Sequence, residues 1–118
     1  MAKNMKKVTV VLQKSPFNTL RNSEALRMSL GLTLANNAVS VVFTQDAVYS
    51  LLPALPENIK SPVFGRHIEM LNTLKCKLIA EKESMEERDV KDVNYNVEVK
   101  ERAEVFKFIK ESNTVITY

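Results

Sequence analysis

Five short apolar runs, separated by segments with helical spacing, constrain the fold of this 118-residue chain more than any other feature. The runs are rich in β-branched residues and lie at 8–12, 39–43, 76–80, 95–99 and 114–118. The first two are almost continuously apolar, which is typical of central strands, while the fourth and fifth alternate with polar residues and suit strands nearer an edge. Strands that alternate with helices indicate parallel pairing. We therefore predict an α/β fold, a three-layer α/β/α sandwich around a five-stranded, mostly parallel sheet.

The segments between the runs carry apolar residues at helical spacing. Asn22 or Ser23 can cap the first helix, and Pro53 stops the second. The predicted segments are a helix to about residue 36, a short helix at 46–52, a surface loop at 53–62, a helix at 64–74, a solvated helix or loop at 81–92 and a helix at 100–110. A chain of this length fits one domain, which we place at residues 1–118.

The composition excludes several familiar kinds of site. The single cysteine, Cys76, has no partner for an internal disulfide, and with His67 as the only histidine no Cys/His zinc site can form. The two glycines, Gly31 and Gly65, cannot supply a glycine-rich nucleotide-binding motif. We therefore expect no metal and no cofactor.

The charge balance bears on partners and compartment. The 17 basic and 14 acidic side chains give a net charge of +3, and aromatic residues make up only 7%. This pattern lacks the dense basic stripe with interleaved aromatics that is typical of nucleic-acid binding. No run approaches the roughly 18 apolar residues of a membrane span, and the apolar run after Lys7 is too short for a signal peptide. We expect a cytoplasmic protein that binds neither membranes nor nucleic acid directly.

Three segments resemble motifs of the DsrE/DsrF family. They correspond to its Pro-aromatic-Gly-Thr loop after the first strand, its Asp-Gly-Val-Tyr-x-Leu-Leu segment after the second strand, and its Ser-Leu-x-x-Arg-Gly segment. In this chain they read Pro16-Phe17-Asn18-Thr19, Asp46-Ala47-Val48-Tyr49-Ser50-Leu51-Leu52 and Ser84-Met85-Glu86-Glu87-Arg88-Asp89. Asn18, Ala47 and Asp89 stand where the family usually has glycine. The resemblance covers nearly the whole chain and is nearest to the TusC/DsrF branch.

The resemblance implies a flavodoxin-like arrangement of layers around a five-stranded parallel sheet. It also implies assembly into dimers, trimers or hexamers, either of this chain alone or with other DsrE-family subunits. The function it implies is intracellular sulfur relay, in which persulfide sulfur passes from one cysteine to another.

The position of the cysteine separates two functional hypotheses. Active members of the DsrE branch carry a cysteine just past the third strand, about three residues before the Ser-Leu-x-x-Arg segment, but residues 79–84 of this chain contain no thiol. Cys76 lies at the start of the predicted strand, roughly 13–16 Å from the carboxyl edge where the family's chemistry takes place. We therefore predict a non-catalytic subunit that supports a persulfide-carrying partner. The alternative is a sulfurtransferase with Cys76 as its catalytic persulfide carrier.

A third hypothesis is a module that binds a small anion or a nucleotide. Two polar loops leave the predicted carboxyl edge, where ligands of parallel sheets bind, and free N–H groups at a helix start can hold an anion. Asp46 also has a structural interpretation as the N-cap of a helix. The candidate ligand-binding residues are Lys14, Ser15, Asn18, Thr19, Arg21 and Asp46.

Overall fold

The computed structural model describes residues 6–13, 21–35, 37–51, 62–74, 76–91 and 96–118, and for 21–23, 50 and 62–67 it describes the main chain alone. The strands are β1 (Lys7–Leu12), β2 (Ala38–Phe43), β3 (Lys77–Glu81), β4 (Glu98–Lys100) and β5 (Thr114–Thr117). The helices are α1 (Arg21–Leu34), α2 (Pro62–Thr73), α3 (Lys82–Glu87) and α4 (Arg102–Lys110), with a 3-10 helix at Gln45–Leu51.

The five strands form one sheet in the order β4-β3-β2-β1-β5, and every neighbouring pair is parallel. The two continuously apolar runs are the inner strands β1 and β2, and the two alternating runs are the edge strands, so the predicted fold is confirmed. Because all strands are parallel, their carboxyl ends share one edge of the sheet and their amino ends share the other.

Apolar side chains pack on both faces of the sheet. Val10, Val41 and Leu78 belong to the larger apolar layer, which includes residues of α1, the 3-10 helix, α2 and α3. Val42 lies in the smaller layer on the opposite face, with Val105 of α4. Full burial of one such aliphatic side chain stabilises the fold by about 1.5–3 kcal/mol. These two apolar layers pack helices against both faces of the sheet, and this arrangement is the three-layer sandwich. They also hold the strand ends in place.

Several predicted boundaries are wrong by a few residues. Helix α1 begins at Arg21, so Asn22 and Ser23 lie inside it instead of capping it. The segment predicted as a short helix is a 3-10 helix, and the fourth strand is Glu98–Lys100 instead of 95–99. Helix α2 begins at Pro62, where the fixed φ of proline suits the first helical position. Residues 52–61, which include most of the predicted loop, lie outside the described residues.

Residues 81–91, the described part of the segment predicted as solvated, are partly buried. Met85 and Val90 belong to the larger apolar layer, and Glu81 and Ser84 are buried polar residues. The prediction was wrong because it relied on the high fraction of charged residues in the segment. The four buried residues named above are spaced along a six-residue helix and the turns beside it, so that they face inward. This buried set brings polar groups to the carboxyl edge.

Candidate functional site

Polar groups from three parts of the chain meet at the carboxyl edge of the sheet. Glu81, the last residue of β3, has a side chain that is only 7% exposed. Its Oε1 accepts hydrogen bonds from Ser84 Oγ at 2.5 Å and from Arg102 Nη2 at 3.1 Å. Ser84 Oγ in turn accepts a hydrogen bond from the main-chain N–H of Gln45 at 2.8 Å. The contacts therefore join the ends of β2 and β3 to the start of α4.

Arg102 balances the buried negative charge of Glu81. The hydrogen bond to Glu81 is the main cause that raises the pKa of the Arg102 guanidinium above its ordinary value, so this group stays protonated. Glu83 Oε1 accepts a hydrogen bond from the main-chain N–H of Arg102 at 2.8 Å, which satisfies one of the N–H groups that a helix start leaves without a partner. A buried carboxylate is costly unless it is paired and hydrogen-bonded, so the burial of Glu81 depends on these partners.

A second ion pair joins the 3-10 helix to the turn after α3. Arg88 Nε donates a hydrogen bond to Asp46 Oδ1 at 2.9 Å, and this bond is the main cause that raises the pKa of Arg88. The Asp46 side chain is 55% exposed, so the pair contributes at most about 1 kcal/mol. Asp46 lies in the first turn of the 3-10 helix, and its interaction with Arg88 was not predicted from the sequence.

Two residues at this edge have left-handed main-chain conformations. Gln45 has a φ of 51° and Asp89 has a φ of 54°. Gln45 lies between β2 and the rest of the 3-10 helix, where its N–H reaches Ser84. Asp89 follows α3 at the place where the Ser-Leu-x-x-Arg-Gly segment has glycine. Glycine adopts positive φ at no steric cost and commonly ends helices in this way. The positive φ at residue 89 is therefore a physical reason for a glycine at this place in the motif.

We expect the Asp89→Gly substitution to stabilise the protein by about 0.5–1 kcal/mol, because it removes the steric cost of the left-handed conformation. The ion pair that is lost, Asp89 with Lys91 at 3.4 Å, is exposed on both sides and worth little. Urea unfolding followed by circular dichroism measures the change. Asp89→Asn is the matched control, because asparagine tolerates the conformation but removes the charge. A loss of stability in Asp89→Gly would contradict the prediction.

The sheet edge beside this network opens into a groove of about 480 Å³ between β1, β5 and α4. Val11 and Val105 contribute apolar walls, while Gln13 and the half-exposed Arg102 contribute polar groups. Phe106 of α4 also lines the groove and is 60% exposed. Concave, largely apolar surfaces with a few polar groups are typical of binding sites. Within the described residues, no group of three or more His, Cys, Asp or Glu side chains could hold a metal ion.

Only part of the predicted ligand-binding set can be placed in this structure. Asp46 lies at the carboxyl edge as predicted. Arg21 is the first residue of α1, and its side chain is outside the described atoms. Outside the described residues altogether lie Lys14, Ser15, Asn18 and Thr19. The assignment of these six residues to a ligand stays a prediction.

Cys76 lies at the opposite edge of the sheet, directly before β3. It is buried and lines a hollow of about 500 Å³ at the amino ends of the strands. Thr33 Oγ1 donates a hydrogen bond to the carbonyl oxygen of Ser29 at 2.9 Å, so its 3.1 Å contact with Cys76 Sγ is a hydrogen bond donated by the thiol. The predicted position of Cys76, remote from the carboxyl edge, is confirmed.

Sequence reasoning missed the interaction of Glu81 with Arg102. In the sequence analysis, Glu81 was only one of the acidic residues in the segment 81–92, and Arg102 was only part of the predicted helix at 100–110. The available signal was a charged residue that directly follows a continuous apolar strand, because such a residue lies at the carboxyl edge of a parallel sheet.

The comparisons with known proteins identify the family. The DsrE/DsrF-like family matches residues 6–118. The chain belongs to the DsrE/DsrF-like family. The crystal structure of the YchN protein from E. coli has the same fold, with a TM-score of 0.84 and 18% sequence identity over 97% of this chain and 100% of that chain. No curated protein matches the sequence.

Membership of the DsrE/DsrF-like family connects this chain with sulfur relay. Glu81 lies three residues before Ser84, within the segment 79–84 that contains no thiol. Assignment to the TusC/DsrF branch stays a prediction. None of the described helices is both long and apolar enough to cross a membrane.

Proposed function

We propose that this chain is a non-catalytic subunit of a sulfur relay, similar in role to TusC and DsrF, that supports a persulfide-carrying partner of the same family. The observation that carries the proposal is the identity and environment of residue 81. In the segment where the resemblance implies a carrier cysteine, this chain has Glu81, a buried carboxylate held by Ser84 and Arg102.

The chemistry of persulfide transfer supports this assignment. A carrier thiolate attacks the outer sulfur of a donor persulfide, so that a new S–S bond forms, the donor S–S bond breaks and the donor leaves as a thiolate. The carboxylate of Glu81 cannot hold sulfur in this way. Its hydrogen bonds and ion pair give it a structural role at the edge where the family's chemistry takes place.

The properties of Cys76 also support a non-catalytic role. Cys76 lies five residues before Glu81 in the sequence. At about 3.3 Å per residue of strand, the two residues are roughly 16 Å apart. Among the described residues, the hydrogen-bond partner of the Cys76 sulfur is Thr33, at 3.1 Å. Reactive cysteines lie in partly exposed surroundings, whereas Cys76 is buried.

The test restores a thiol at residue 81. We expect the variant Glu81→Cys in a Cys76→Ala background to gain one sulfur atom per chain when it is incubated with glutathione persulfide, because Arg102 favours a thiolate at that place. Intact-mass spectrometry measures the gain. The thiol-free control is Glu81→Ser in the same background, and it should gain nothing. We expect the unsubstituted chain in its native state to gain little or no sulfur.

Two outcomes would contradict the proposal. Rapid sulfur loading of the unsubstituted native chain at Cys76 would identify it as a carrier and favour the sulfurtransferase. Failure of a folded Glu81→Cys variant to load would show that residue 81 is not the place of a carrier thiol. Circular dichroism establishes that each variant is folded.

A further inference from the structure

The sheet face that carries α4 changes from apolar to polar along the strands. A row of the smaller apolar layer is paired in register across β1, β2 and β3 and consists of Val11, Val42 and Ile79. Val105 of α4 packs on this row. Two residues earlier in each strand, and therefore on the same face, the row in register is Thr9, Ser40 and Lys77. Central strands of parallel sheets are apolar on both faces as a rule, so a polar row across them requires a physical reason.

Contacts within the chain account for only part of this polar row. The Thr9 hydroxyl is buried and is hydrogen-bonded to the hydroxyl of Ser112, just after α4. The Lys77 ammonium lies 5.6 Å from the centroid of the Phe108 ring. The hydroxyl of Ser40, in contrast, has no hydrogen-bond partner among the described residues. The fold therefore does not use the Ser40 hydroxyl, which is available to a bound molecule.

The polar row lies in the hollow of about 500 Å³ at the amino ends of the strands, and all three of its residues line this amino-edge hollow. Phe108, near the C-terminal end of α4, also lines it, and Val8 and Val39 contribute apolar surface. Small-molecule sites are concave and mostly apolar, with a few polar groups that orient the ligand, and this volume falls within their usual range. The amino-edge hollow therefore has the size and the mixed lining of a binding site.

We propose that the amino-edge hollow binds a small organic anion, namely a carboxylate with an apolar body. The Ser40 hydroxyl and the Lys77 ammonium both donate hydrogen bonds, and the two oxygens of a carboxylate accept them. The apolar body packs against Val8, Val39 and the ring of Phe108. This site lies at the opposite edge of the sheet from Glu81 and goes beyond the proposed function, because it holds whether or not the chain supports a sulfur carrier.

The charges around the hollow match a single negative charge on the ligand. Two lysines, Lys7 and Lys77, line it together with one carboxylate, that of Glu111. The described lining therefore has an excess of one positive charge. Glu98 lies 3.7 Å from the Lys77 ammonium, but both side chains are about half exposed, and such a pair is weak. Glu111 and the negative C-terminal end of α4 oppose an anion, so binding depends on Lys77.

The first test compares three probes by NMR titration of the ¹⁵N-labelled chain. Hexanoate has both the charge and the apolar body, acetate has the charge alone, and hexan-1-ol has the body alone. We expect hexanoate to bind at least about tenfold more tightly than either of the others. The saturable shifts should lie at the amides of Thr9, Ser40 and Lys77, while the amide of Ser84 at the carboxyl edge stays unchanged.

The second test removes the proposed donors one at a time. Ser40→Ala should weaken hexanoate binding roughly threefold to tenfold, and Lys77→Gln about tenfold or more, because a hydrogen bond to a charged donor is stronger than one to a neutral donor. Lys110→Gln is the matched control, since Lys110 is an exposed lysine of α4 outside the lining, and it should leave binding unchanged. Glu111→Gln should tighten binding, because it removes the opposing charge.

Three results would overturn the proposal. The first is a titration with hexanoate that gives no saturable shifts at the amino edge. The second is hexan-1-ol that binds as tightly as hexanoate, because the hollow would then recognise no charge. The third is equal weakening in folded Lys77→Gln and Lys110→Gln variants, because the anion would then respond to the general charge of the protein. Circular dichroism establishes that each variant is folded.

Discussion

The Ser84→Ala substitution should lower the free energy of unfolding by about 2–4 kcal/mol. Ser84 is 1% exposed, and its hydroxyl both donates to Glu81 and accepts from the N–H of Gln45. Alanine removes one of the two hydrogen bonds to the buried carboxylate of Glu81, which keeps Arg102 as a partner, and leaves the main-chain N–H of Gln45 without its acceptor, and each such loss costs about 1–3 kcal/mol. For a domain of this size the melting temperature should fall by roughly 8–16 °C, which calorimetry can measure.

Thr73→Ala is the matched control for the loss of a hydroxyl. Thr73 is exposed, and its hydroxyl donates only to the carbonyl of Glu69 within α2, so we expect a change of less than about 0.5 kcal/mol. If Ser84→Ala changes stability as little as the control does, water replaces the lost hydroxyl and the carboxyl-edge network is not structurally important.

The alkylation of Cys76 should be at least roughly 100-fold slower in the native protein than in denaturant, because the thiol reacts only when the structure opens locally. Cys76 is 9% exposed and its thiol donates to Thr33. Iodoacetamide labelling followed by mass spectrometry gives both rates, and since the chain has one cysteine every adduct reports this site.

The Thr33→Val substitution serves as the control for this measurement, since valine keeps the shape of threonine and removes the hydroxyl that accepts from the thiol. We expect faster native labelling in this variant than in the unsubstituted chain, with the denatured rate unchanged. Native labelling of the unsubstituted chain at the denatured rate would show an accessible thiol and strengthen the case for a sulfurtransferase.

Local pattern was sufficient to predict the layers of the fold. β1 and β2 are inner strands because their residues are apolar on both faces, and the alternating run at 114–118 is an edge strand because one face stays exposed. Boundaries were less accurate. Asn22 and Ser23 are good capping residues, yet α1 begins before them at Arg21, since the packing of a helix can outweigh the local preference for a cap.

The candidate site was predicted only in part. The sequence showed that no thiol stands at residues 79–84, and it placed Asp46 at the carboxyl edge. It did not show that Glu81 is buried, because a glutamate among six acids in a charged segment is typical of a solvated surface. The burial depends on Arg102, which is 21 residues away, and on Ser84, whose hydroxyl also contacts Gln45 39 residues away.

The sequence by itself therefore determined the strand and helix pattern, the family resemblance and the place of the only cysteine, because each of these depends on neighbouring residues or on their periodicity. The tertiary structure alone decided the partners of Glu81 and the ion pair of Asp46 with Arg88. These depend on groups distant in the chain, which come within hydrogen-bond distance only after parallel pairing brings the carboxyl ends of the strands to one edge.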